Sequence, residues 1–253
     1  MIAEKDETNW PKTPLHIGVP GQAPLEVLYY YEKWRGYYPD CEMAVKAWFT
    51  DHIKPDWHFL DIGANIGMYS LLFSRLAPQG ITYALEPTDT FNMLLGNLAH
   101  NNVKNVRCYK QAIASQTGRQ KRPIAKQFQI EILNEPTDFI TIDDFVEQNG
   151  ITRVDCIKID VDGYELETLR GAEKTLKRFN PYVLSEISDG MYILHQQFGE
   201  ALMWLHGVGY RDLLCFGDEH FLFRFGDTES MKPAYGSLNV HFTHYLEDRK
   251  KLR

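Results

Sequence analysis

From Trp57 onward, short apolar runs alternate with longer amphipathic ones, and this alternation restricts the chain more than any other feature. Strand-like runs fall at 58–62, 81–85, 106–114, 154–159, 182–187, 211–216 and 220–225. Helix-like runs lie between most of them, at 66–77, 89–101, 141–149, 164–178 and 191–207. Apolar strands separated by helices of this length predict an α/β fold with a doubly wound, mostly parallel sheet. Gly217–Glu219 joins the last two runs as a hairpin turn would, so one edge strand is expected to be antiparallel. Ahead of the first strand, "DCEMAVKAWFTDHI" reads as a helix with Asp40 as its N-cap. The expected organisation is an N-terminal arm over 1–39, a domain over 40–226 with an insertion near 115–140, and a tail over 227–253.

Charge and composition narrow the function classes. The 253 residues carry a net charge of -7, which argues against a general nucleic-acid binder, because affinity for phosphate backbones comes mainly from Lys and Arg. No apolar run approaches the ~20 residues needed to span a bilayer, and the polar start "MIAEKDETNWPKTP" lacks a signal-peptide core. A cytoplasmic location is the expectation. Cys41, Cys108, Cys156 and Cys215 are widely spaced and read as free thiols, not as a disulfide or zinc framework.

In a doubly wound sheet, ligands bind beyond the carboxyl ends of the strands. The first strand ends in "FLDIGANIG", where Asp61 precedes a turn containing Gly63, Asn65 and Gly67. This is not the G-x-G-x-x-G of a dinucleotide site, which lowers a nicotinamide oxidoreductase. A carboxylate at Asp61 would repel a pyrophosphate and attract an ammonium group. The second strand, "ITYALEP", ends on Glu86, placed to accept hydrogen bonds from ribose hydroxyls. A ribose, an amino-acid amine and no phosphate together describe S-adenosylmethionine. Asp160 ends the fourth strand, beside the first, and is expected near the donor's sulfonium and the acceptor. Asp162 and Glu165 flank the next helix start, where carboxylates commonly cap.

"DIGANIGMYS", "LEP", "TIDDF" and "IKIDVDGYELETLRGA", in this order, resemble the FkbM family of S-adenosylmethionine-dependent methyltransferases. The resemblance spans roughly Asp40 to Ile187, and Asp162 stands where the family usually has Glu. It implies a seven-stranded class I methyltransferase fold, Rossmann-like, and O-methylation of sugar or natural-product hydroxyls. It implies donor contacts from Asp61, Gly63, Ala64, Asn65, Gly67, Glu86, Pro87 and Ala112. The alternatives are N-methylation of a small amine and a nucleotide-binding protein without methyl transfer.

A hydroxyl needs a base as the C–O bond forms. Asp160 is the first candidate, Glu186 the second, and His195 and His220 the third, while Lys158 shares a face with Asp160. Mg²⁺ held by Asp160, Asp162, Glu165 and Glu186 is a less favoured option. On the acceptor side, Tyr29, Tyr30, Tyr31, Trp34, Tyr37 and Tyr38 form either a sugar platform or a packing or homodimer element. Arg119, Lys121, Arg122 and Lys126 form either a solvated loop or a guide for anionic acceptors, and the tail with His241, Phe242, His244 and Tyr245 is a further candidate for the pocket rim. The expected acceptor is a small molecule or glycan hydroxyl.

Overall fold

The computed structural model describes residues 12–126, 131–133, 135–187, 198–217, 220–226 and 237–241. The chain opens with a hairpin, β1 (Leu15–Ile17) and β2 (Leu25–Val27), followed by helix α1 (Met43–His52). Then come β3 (Phe59–Ile62), α2 (Met68–Leu76), β4 (Thr82–Leu85), α3 (Thr90–His100) and β5 (Val106–Tyr109). Short strands follow: β6 (Ala112–Ile113), β7 (Gly118–Lys121), β8 (Ile124–Lys126), β9 (Glu131–Leu133) and β10 (Pro136–Ile140). The chain continues through α4 (Ile142–Gln148), β11 (Cys156–Ile159), α5 (Glu165–Arg170), α6 (Glu173–Phe179) and β12 (Tyr182–Glu186). It closes with α7 (Phe198–Val208), β13 (Tyr210–Phe216), β14 (His220–Phe225) and β15 (Ser237–His241).

The described central sheet has the order β15-β13-β14-β12-β11-β3-β4-β5. β12, β11, β3, β4 and β5 are parallel, and β14 lies antiparallel between β12 and β13. The expected α/β fold is present, with an eighth strand: β15, in the stretch read as tail, pairs antiparallel with β13. Chain order reverses between β3 and β11, because β3 leads outward to β4 and β5 before the chain crosses to β11. That reversal opens a crevice beyond the strand ends.

Strand composition explains the layering. All four residues of β3 and all four of β11 are buried, so both faces need cover. Phe59, Cys156 and Leu184 pack with α1, α2 and the N-terminal hairpin on one face. Leu60, Ile62, Ile157 and Ile159 pack with α4 to α7 on the other. Residues 12–40 join the first of these cores: Ile17, Leu25, Val27 and Tyr30 are buried in it. Asn97 of α3 ties them down, accepting from the N–H groups of Leu28 and Tyr29 and donating to the carbonyls of Tyr29 and Ile66, each at 2.8 Å. All four hydrogen-bonding positions of its amide are thereby used.

Three local expectations change. Asp40 does not cap α1; it ends a 3₁₀ turn over Tyr38–Asp40, and the helix starts behind Glu42, whose backbone is left-handed at φ 50°. The run at 106–114 divides: β6 leaves the main sheet to pair with β10, which also pairs with β7. Within 115–140, β8 and β9 pair antiparallel. The run at 164–178 breaks into α5 and α6, where the Gly171 carbonyl accepts from the N–H of Asp143 at 2.9 Å instead of continuing the helix. Among the described residues no helix is long and apolar enough to cross a membrane. All four cysteines are free, and all but the half-buried Cys108 are buried.

Candidate active site

A cleft enclosing about 1100 Å³ of empty space, its open mouth included, lies at the β3–β11 switch point. One side is the glycine turn. Gly63 has φ 74° and packs so closely on β11 that an added Cβ would sit 1.8 Å from the Asp160 carbonyl oxygen. Only glycine fits there. The turn's donors are already engaged: the N–H groups of Gly63 and Ala64 both reach the Leu85 carbonyl, at 2.9 and 3.0 Å. The N–H of Asn65, itself left-handed at φ 50°, donates to Glu86 Oε2 at 2.9 Å. A turn with its amides committed in this way is poorly furnished to cradle phosphates, which need free N–H groups.

Glu86 is buried at the end of β4. Thr88 donates to its Oε1 from the backbone N–H at 2.9 Å and from Oγ1 at 2.6 Å. With Asn65, three of its roughly four lone-pair positions are taken. The carboxylate is thus held rigidly, with one position left rather than the two that a pair of ribose hydroxyls would use. Ala64, Asn65, Pro87 and Ala112 also line the cleft. Gly67 does not; it precedes α2 with φ 93°.

Asp61 does not line the cleft either. Register sets it beside Lys158 on the neighbouring strand, under the glycine turn, with 0% exposure. Its Oδ2 accepts from Ser70 Oγ at 2.6 Å, while Oδ1 has no hydrogen-bond partner and lies 3.9 Å from Lys158 Nζ. Burial raises its pKa, against the pull of Lys158. The Lys158 ammonium donates to the Gly63 carbonyl at 3.1 Å and to Asp160 Oδ2 at 2.9 Å. Burial works against its charge, but Asp160 and Asp61 together raise its pKa. Lys158 is therefore a fixed cation that joins the turn to Asp160, not a proton acceptor.

Carboxylates from two further segments converge with Asp160. Glu186 ends β12; the neighbouring Asp160 charge, burial and a hydrogen bond to Asp160 push its pKa up to about 10. Glu42 accepts from Tyr69 Oη, and His220 Nε2 lies 3.4 Å from Glu42 and 3.8 Å from Glu186. Burial opposes the charge of Glu42, but His220 and Tyr69 outweigh it and bring its pKa to about 2. Burial also opposes charge on His220, and Glu42 more than reverses this, so the imidazole is pulled toward the protonated form. That argues against His220 as a base, and His195 lies outside the described residues. Glu42 escaped sequence reasoning altogether: it stands inside a helix-like run, and its left-handed backbone leaves no trace there.

The loop after β11 is strained. Asp162 is left-handed at φ 49°, which for a non-glycine residue marks a conformation held by its surroundings. Its side chain lines the cleft, and burial followed by the Asp160 charge raises its pKa to about 7. Tyr164, not Asp162, occupies the N-cap of α5. Glu165 Oε1 accepts from the N–H groups of Val161 and Gly163 at 3.2 and 3.1 Å, clamping the loop. Among the described residues no group of three or more His, Cys, Asp or Glu is arranged to hold a metal ion.

The aromatic arm splits. Tyr30 is fully buried, whereas Tyr37 and Tyr38 line the cleft, with rings 5.8 Å apart edge to face. Opposite them the insertion contributes Ile124 and Phe139. Of the basic loop, Arg119 pairs with Asp138 at 3.4 Å and Arg122 with Glu167 at 3.2 Å. The side chain of Lys126 and the tail beyond His241 are outside the described residues.

Comparison with known proteins identifies the family. Residues 61–211 match the methyltransferase FkbM domain. The chain is 30% identical over 156 residues to the hexuronic acid methyltransferase AglP of Haloferax volcanii, a match covering 59% of this chain and 64% of that one. It is 29% identical over 150 residues to methyltransferase 1 of Beauveria bassiana, covering 47% and 60%. The chain thus spans under two thirds of the length of these relatives. The crystal structure of methyltransferase FkbM from Methylobacillus flagellatus superposes with a TM-score of 0.51 at 16% identity, over 74% of this chain and 46% of that one. With the match over 61–211, this chain belongs to the methyltransferase FkbM domain family.

Proposed function

We propose that this chain transfers the methyl group of S-adenosylmethionine to a hydroxyl of a sugar, glycan or natural product, with Asp160 receiving the hydroxyl proton. The observation that carries the reading is one cleft lined together by the Gly63 turn, Glu86, Asp160 and Glu186. When bound, the cofactor supplies an electrophilic methyl group on a sulfonium. Glu86 offers its remaining lone pair to a ribose hydroxyl, Ala64, Asn65, Pro87 and Ala112 enclose the adenosine, and the committed amides of the turn suit a ligand without phosphate. Asp61 acts from beneath, through Lys158, rather than on the donor amine.

On the acceptor side, Asp160 accepts a hydrogen bond from the hydroxyl and takes its proton as the C–O bond forms and the C–S bond breaks. Lys158 keeps the Asp160 carboxylate aimed at the cleft, and Glu186 stores a neighbouring proton. The family membership supports methyl transfer, and the hexuronic acid methyltransferase among the relatives supports a sugar hydroxyl as acceptor.

Thermal denaturation with S-adenosylmethionine, S-adenosylhomocysteine or NAD tests the reading. A ligand at 100 times its Kd stabilises the folded state by ~2.7 kcal/mol. Stabilisation by both adenosyl compounds is expected; stabilisation by NAD alone would overturn the reading.

A further inference from the structure

The cleft lining has an uneven charge. Glu42, Asp160, Asp162 and Glu186 all reach it, from three different segments, and Lys158 is the one basic residue among the described lining. Lys158 is buried and already committed to Asp160 and the Gly63 carbonyl, so it cannot turn to a ligand's anion. His220 stands behind the wall, between Glu42 and Glu186. The Asp160 charge, with burial, pushes the Glu186 pKa up to about 10, and burial followed by the same charge pushes that of Asp162 to about 7. Of the insertion's basic residues, Arg119 and Arg122 are paired with Asp138 and Glu167. Above the acidic floor stand Tyr37, 42% exposed, and on the opposite side Phe139.

We infer that the acceptor is uncharged around the reacting hydroxyl, and that this cleft rejects sugars carrying a carboxylate or phosphate there. Carboxylates on the floor accept hydrogen bonds from neutral hydroxyls, which are strengthened by their charge. The aromatic rings take the apolar C–H face of the same compound. An anion at that position meets the carboxylates of Glu42, Asp160 and Asp162, while Lys158, committed to Asp160 and the Gly63 carbonyl, has no hydrogen bond to offer it, and such juxtaposition is a strong device for excluding a wrong partner. The inference rests on the methyl-transfer reading and departs from the acceptor named for the Haloferax volcanii relative.

The test compares a methyl hexoside with the matching methyl hexuronide at pH 8.5, where Asp162 is ionised. Labelled-methyl transfer gives kcat/KM for each, and saturation-transfer NMR on protein loaded with S-adenosylhomocysteine gives binding. A preference for the hexoside of at least about tenfold in either readout is expected. Equal behaviour, including no engagement of either compound, or a preference for the hexuronide overturns the inference. Asp162→Asn removes one charge while keeping a side chain that tolerates the left-handed backbone. It should reduce the preference about threefold or more, and an unchanged ratio removes Asp162 from the selecting wall. Stabilisation by S-adenosylmethionine is measured on the same samples. If it persists while the hexuronide is preferred, the inference alone fails; if it is absent, the methyl-transfer reading fails first.

Discussion

The two walls of the cleft are built differently. The glycine-turn wall is local: Gly63, Asn65 and Glu86 lie on adjacent strands and bond to one another through short loops. The acidic wall is assembled from positions 42, 160, 186 and 220, contributed by the α1 entry, β11, β12 and β14. The first wall depends on backbone conformation and tolerates almost no added volume. The second depends on mutual charge, so each member alters the protonation of the others. Lys158 is the joint between them, bonded to the Gly63 carbonyl on one side and to Asp160 on the other.

Substitutions on each wall sharpen this contrast. Gly63→Ala should have the largest effect, because the new Cβ would fall 1.8 Å from a backbone oxygen at a positive φ. Chemical denaturation should show a loss of at least about 4 kcal/mol, in the range reserved for gross steric conflict. A fully stable Gly63→Ala protein would show that the turn is not backbone-limited.

Glu42→Gln tests the charge-built wall. The folded pKa of Glu42 is depressed to about 2 from 4.5, so its contribution is present above 4.5 and fades as pH falls from there toward 2. At neutral pH the variant should lose roughly 3 kcal/mol. The difference from the parent should shrink on acidification, and a pH-independent difference would mean that packing, not charge, holds Glu42.

Asp160→Asn should lower kcat at least about 10²-fold while leaving donor affinity unchanged. Near-normal turnover moves the proton-accepting role to Glu186. Arg119→Ala gives the smallest effect. The Arg119–Asp138 pair is two-thirds exposed on both sides, and its removal should change stability by less than about 0.5 kcal/mol. A larger change in melting curves would give the insertion loop a structural role that its exposure does not support.

Legibility follows the same divide. The α/β alternation and most strand positions were readable, because each strand's apolar run is a local pattern that burial demands. Glu86 and the turn around Asn65 were readable separately, as the ends of two successive strands, but the hydrogen bond between them was not. The placement of Asp61 was not: a strand-end acid looks the same in sequence whether it faces a cleft or a neighbouring lysine. Its burial follows from the register that sets it opposite Lys158. The N-terminal stretch looked irregular because its order comes from Asn97, about 70 residues away, rather than from its own periodicity.

By itself, the amino-acid sequence determined the doubly wound sheet, the glycine turn and the identities of Glu86, Asp160 and Glu186, since each depends on periodicity or on a position within one strand and its loop. Only the tertiary structure decided that Glu42 and His220 join them, that Asp61 is sealed beneath the turn, and that the charge of Asp160 raises the pKa of Glu186. Protonation and burial depend on distances between segments remote in the chain, and those distances exist only once the strands are in register.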